Sequence, residues 1–239
     1  MPRYSTILLL LALIPTFARG FAQSPGDPCP FSFHVGTLNR DYQRSTPMTG
    51  TYAIIANPRQ QGTAVNNNML QALTGPGGQR LFPSSAQPIT FQTLFSLYSK
   101  VEPVAGSYLA VLEQGSKELS CRAPLDPESL LPVVDNARVR RLLGKDVNRL
   151  IVEWDPLSGA QAYAVEVGRE GEVLAKQTIA GDSQRASWDG LPLERGQEYL
   201  VVIRAFAFPF YTAPDEPLDP SSFPGQTNVS ERGFFFEAQ

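Results

Sequence analysis

The sequence predicts an all-β protein of two β-sandwich domains behind a secretory leader. Three observations predict it. Apolar residues alternate with polar ones at period two in run after run, turns rich in Gly, Pro and Asn divide the runs, and helical periodicity is scarce. At 239 residues the chain has room for two units of about 100 residues each.

Pro2 and Arg3 open the chain, an apolar run follows from Ile7 to Ile14, and small residues stand at Gly20 and Ala22. This is the pattern of a signal peptide over residues 1–22. The run falls short of the roughly 20 apolar residues of a membrane span, and no later segment approaches that length, so the expectation is an exported chain without a membrane span. Once Arg3 and Arg19 are removed with the leader, 18 basic side chains face 23 acidic ones. That balance argues against nucleic acid as a partner, because phosphate binding needs clustered positive surface.

Residues 23–122 form the first expected sandwich. Its two cysteines, Cys29 and Cys121, are the chain's only ones. In an oxidising compartment they are expected to form a structural disulfide closing a loop of roughly 90 residues, for which chain entropy gives on the order of 4 kcal/mol at most. A redox pair or a metal site would need closer cysteines or histidine ligands. Strands are expected over 51–56, 69–74, 89–98 and 107–113. Asn57-Pro58, Gly75-Pro76-Gly77-Gly78 and 103–106 turn the chain between them, since Gly reaches positive φ and Pro fixes φ near about −65°.

Residues 123–136, with three prolines among acidic residues, are expected to be a stiffened linker, and 128–131 is the one stretch expected to make a turn of helix. From 137 to 239 the alternation sharpens. Leu150, Val152 and Trp154 share one face of a strand, Tyr163, Val165 and Val167 another, and Tyr199, Val201, Ile203 and Ala205 a third. Two facing sheets bury all three faces at once.

The residues from 137 to 237 resemble a fibronectin type III domain. Trp154-Asp155-Pro156 matches the Trp and Pro-containing turn that end the family's second strand, and Tyr163-Ala164-Val165 matches the opening of its third. Leu193, Gly196, Tyr199, Val201, Ile203 and Ala205 fall at the family's spacing around its penultimate strand. The resemblance implies structural roles for Trp154, Tyr163 and Tyr199, the last as a tyrosine corner whose hydroxyl bonds back to upstream backbone. It also implies a closing strand over 232–237. One departure stands out: some 25 residues separate Ala205 from that strand, where the family has a tight hairpin. The first domain is similar to bacterial immunoglobulin-like modules through Gly106-Ser107-Tyr108 and the strand that follows, while an unrelated sandwich or a small barrel also fits its pattern.

Catalytic chemistry finds little to use. His34 is the single histidine, and G-x-S-x-G, H-E-x-x-H and phosphate-cradling glycine loops are missing from the sequence. Carboxylate pairs such as Glu153 and Glu166 would suit glycoside hydrolysis, but their alternation positions predict solvated sheet faces on neighbouring strands. No cofactor and no metal is expected; the acidic spacing near Asp215 lacks the ligand register of a calcium loop. Asn228-Val229-Ser230 has the form of a glycosylation sequon.

The long insertion carries the candidate binding residues: Phe206, Phe208, Phe210 and Tyr211, then Asp215 and Glu216, interspersed with five prolines. Proline-stiffened loops lose less entropy on docking, and aromatics supply buried area. The alternative is that these aromatics fold back over the sandwich and shield its edge. The expected function is a non-enzymatic binding or assembly module of the bacterial cell envelope, periplasmic or at the cell surface, docking a surface protein or a glycan. The competing expectation is a carbohydrate-active enzyme or its accessory glycan-binding module. Assembly by strand donation would need a donor near the mature N-terminus, where residues 23–30 hold three prolines and make a poor one.

Overall fold

A computed structural model describes residues 29–56, 69–83, 86–91, 94–144, 147–209, 223 and 225–239; the expected signal peptide over 1–22 and part of the insertion lie outside the described residues. The first half contributes β1 (Ser32–Tyr42), β2 (Met48–Ala56), β3 (Leu70–Thr74), β4 (Arg80–Phe82), β5 (Ala86–Phe91), β6 (Leu94–Ser99), β7 (Gly106–Gln114) and β8 (Lys117–Leu125). The second contributes β9 (Arg138–Gly144), β10 (Val147–Glu153), β11 (Ala162–Arg169), β12 (Glu172–Ala180), β13 (Arg185–Asp189), β14 (Glu198–Phe206) and β15 (Val229–Glu237).

Two sandwiches form, as the alternation requires. In the first, β5-β6-β2-β1 faces β4-β3-β7-β8 across a core that includes Phe33, Val35, Ile55, Leu73, Leu97, Tyr108 and Leu112. The Cys29–Cys121 disulfide joins the entry of β1 to β8 across it, with Cα atoms 5.2 Å apart. Tyr108 makes a tyrosine corner here, its hydroxyl accepting from Val104 N at 3.0 Å and donating to Val104 O at 3.2 Å. In the second sandwich, β12-β11-β14-β15 faces β13-β10-β9, the fibronectin type III arrangement of strands. Trp154 meets Tyr163 edge to face at 5.1 Å, and the Tyr199 hydroxyl accepts from Glu194 N at 2.7 Å.

Several expectations are corrected. The stretch 89–98 is two strands, β5 and β6, paired with Phe91 opposite Leu94, because the polar Gln92-Thr93 pair interrupts its apolar run. Residues 128–131 form no helix, and the segment expected as a linker is partly structural: residues 123–125 finish β8, and Leu131 and Val134 are buried in the second core.

The feature that no local pattern announced is the seam between the halves. β1 pairs with β15 in parallel from Leu38↔Val229 to Tyr42↔Gly233, making one sheet of eight strands in the order β12-β11-β14-β15-β1-β2-β6-β5. Gly36 is needed at its start, since a Cβ there would lie 1.9 Å from Thr227 O. Gln226 clamps the Asp126 backbone from both sides, donating to its O at 2.8 Å and accepting from its N at 2.9 Å. Asn228 Oδ1 accepts from Thr37 N and Thr37 Oγ1, both at 3.0 Å, while its Nδ2 donates to Ser129 O. The sequon asparagine is thereby buried and its amide fully engaged, so its role is in the seam and a glycan has no free nitrogen to take.

Candidate binding face

Period two gives each strand of the eight-stranded sheet one side chain in two for the cores and one in two for the opposite face. That outer face runs unbroken across both sandwiches, and its chemistry changes along the strands in three zones.

The first zone is apolar. Leu38, Tyr52, Ile54, Ala162, Ala164, Phe206 and Val229 form its floor, and Phe208 and Phe223, from the two ends of the insertion, lie upon it. Phe206 and Phe208 meet edge to face at 5.3 Å, Phe208 and Phe223 tilt together at 4.9 Å, and His34 stands 5.5 Å from Phe223. Phe206 and Phe208 are 0% exposed. This corrects their placing among the contact residues: they root the insertion on the sheet. Phe210, Tyr211, Asp215 and Glu216 lie outside the described residues.

The second zone is a row of alternating charge across five strands. Lys176 Nζ reaches Glu166 Oε1 at 3.0 Å, Arg204 lies between Glu166 at 3.4 Å and Glu231 at 2.5 Å, and Arg40 reaches Glu231 at 2.5 Å from the other side. The Tyr42 hydroxyl also donates to Glu231, and the Arg40 guanidinium covers the Tyr98 ring at 4.8 Å. Burial pushes the Glu231 carboxyl up, but Arg204 and Arg40 outweigh it and hold the group below the ordinary carboxylate range. Burial and then the Glu231 charge drive the Tyr42 phenol far above its usual value. Glu231 and Tyr42 are thus both moved away from neutrality, and the row suits structure better than proton transfer.

The third zone is a half-open groove of about 610 Å³ beside the β11–β12 hairpin. Leu200, Val202 and Phe235 line its floor, and Glu170, Glu172, Val173 and Glu198 its rim. Two of these lining residues meet Arg44, which pairs twice with Glu198 at 2.7 Å and lies over Phe235 at 4.5 Å. Sequence reasoning missed this groove, although a signal was present: the unbroken run Tyr199 to Ile203 puts apolar residues on both faces of β14.

The carboxylate pair considered from sequence does not assemble. Glu153 belongs to the β13-β10-β9 sheet and Glu166 to the eight-stranded one, so they do not sit on neighbouring strands. Burial nudges the Glu153 carboxyl upward, yet Arg140 and Arg138 hold it below the ordinary range, which denies it the protonated form a general acid needs. Among the described residues, no group of three His, Cys, Asp or Glu is placed to hold a metal ion, and no helix is long and apolar enough to cross a membrane.

No family model matches the chain, and no curated protein matches it. Solved structures do align. A two-domain fibronectin type III segment of chicken tenascin is 13% identical, with 84% of this chain and 99% of that one covered and a TM-score of 0.32. The chicken CNTN1 FN1-FN3 domains are 9% identical over 86% of this chain and 63% of that one, also at 0.32. A BSP domain of a biofilm associated protein is 14% identical over 87% and 30%, at 0.25. The fibronectin type III arrangement is carried by strand order, the tyrosine corner and the Trp154–Tyr163 contact.

Proposed function

We propose that the protein is an exported, non-enzymatic binding module of the cell envelope that docks another surface protein through the insertion between β14 and β15. The observation that carries this reading is the rooting of the insertion. Phe208 and Phe223 hold its two ends on a rigid sheet, and Phe208 is 0% exposed, so the segment between them starts from fixed points. Fixed ends lower the entropy lost on docking, and Phe210 and Tyr211 followed by Asp215 and Glu216 supply aromatic area with a negative border. The disulfide suits an oxidising, extracytoplasmic setting. Periplasm or outer surface is the compartment this reading requires.

The test replaces residues 210–222 with a Gly-Ser linker of equal length, keeping Phe208 and Phe223. The variant is expected to unfold at the same denaturant concentration as the parent and to lose its cross-links to envelope proteins. Retention of every cross-link overturns the reading. Recovery of glycan alone turns it toward a carbohydrate-binding module.

A further inference from the structure

The groove invites a question that the insertion does not answer, namely what covers Leu200, Val202 and Phe235. Its rim is acidic. Glu198 is tied to Arg44, whereas Glu170 and Glu172 form no ion pair among the described residues. Val173, on the same rim, is 56% exposed. An occupant must therefore bring apolar side chains flanked by positive charge.

A surface of that description exists on the chain itself. At the β9–β10 hairpin, Leu142 and Leu143 are 47% and 59% exposed, and Arg138, Arg140 and Arg141 precede them on β9; Arg138 and Arg140 share the one carboxylate of Glu153, so positive charge stays in excess. β9 is an edge strand of its three-stranded sheet. Large apolar residues left this exposed are few among the described residues: Val104, Leu130, Leu142, Leu143 and Val173. Three of the five thus sit at one acidic place and one basic place, which is the arrangement two complementary patches would show.

We infer that the acid-rimmed groove takes the β9–β10 hairpin of a second copy of this chain. Groove and hairpin are different patches, so the contact is heterologous, and it repeats along a row of molecules unless the rotation between copies closes it. The contact is small, in the class below about 1,200 Å², and is correspondingly weak in dilute solution. Held on a surface at high local concentration, the same contact becomes effective. This inference is independent of the insertion, whose described ends, Phe208 and Phe223, lie on another zone of the face.

Sedimentation velocity on the disulfide-intact protein over a concentration series tests it. Association is expected at low salt and is expected to weaken at about 0.5 M salt, where the Debye length is only a few Å. Leu142→Glu/Leu143→Glu and Glu170→Lys/Glu172→Lys should each weaken association at least tenfold. Mixed together, the two variants should form a pair, because the intact groove of the first takes the intact hairpin of the second. Misfolding of either variant cannot produce that rescue. The inference is overturned if the parent stays monomeric throughout the series, or if both variants associate as the parent does, or if the mixture gains nothing. A parent that associates while the linker-replaced insertion variant also does leaves this inference standing whatever becomes of the docking role.

Discussion

Glu231, 1% exposed between Arg204 and Arg40, shows how much one side chain can carry. Its burial is tolerable only because both carboxylate oxygens are matched, and removing the charge strands a guanidinium that is itself 9% exposed. Glu231→Gln is expected to cost about 3–5 kcal/mol, read from the urea midpoint. The pH dependence follows from the direction of its shift. A carboxyl depressed in the folded state adds stability that is complete above its unfolded value, about 4.3, and drains away as pH falls toward the folded one. Urea midpoints between about pH 6 and pH 3 should therefore fall more steeply in the parent than in Glu231→Gln. Residue roles fixed by neighbours a few positions away were legible in the sequence, as with Tyr199 bonding to Glu194 and Trp154 meeting Tyr163. Glu231 was not, because Arg40 reaches it only across the seam and Arg204 faces it across the β14–β15 pairing, on the far side of the insertion.

Strands announced themselves where the core-facing residues are apolar at every second position. β10, β11 and β14 each show period two, and their positions in the second sandwich follow from it. β1 gave a poorer signal because polar residues such as Thr37, Asn39 and Asp41 occupy the half of it that enters the seam. The insertion was legible as aromatic and proline-rich, but whether its aromatics face outward depends on a sheet surface that the other half of the chain completes. Gly36 is the test of that surface at the scale of elements. Gly36→Ala puts a methyl group against Thr227 O, so the start of the β1–β15 pairing must part. The expected loss is about 1–3 kcal/mol. Amide exchange should quicken first along Leu38–Tyr42 and Val229–Gly233, where the seam's register lies, while the amides of β7 keep their protection.

At the scale of the molecule, a shared sheet makes the two sandwiches one cooperative structure. Leu131 and Val134 pack in the second core while residues 123–125 belong to the first, and the seam closes the other side. A single calorimetric transition is expected, with calorimetric and van't Hoff enthalpies equal, in place of the two steps that independent modules on a free linker would give. Two resolved transitions would refute the coupling. The seam also sets an order of events. β1 is made well before β15, so while the strands between them are synthesised β1 has β2 on one side and an open row of amides and carbonyls on the other. Until β15 arrives, the unfinished molecule offers any passing strand the place that belongs to its own partner, and a chain cut short before β15 keeps that vacancy for good.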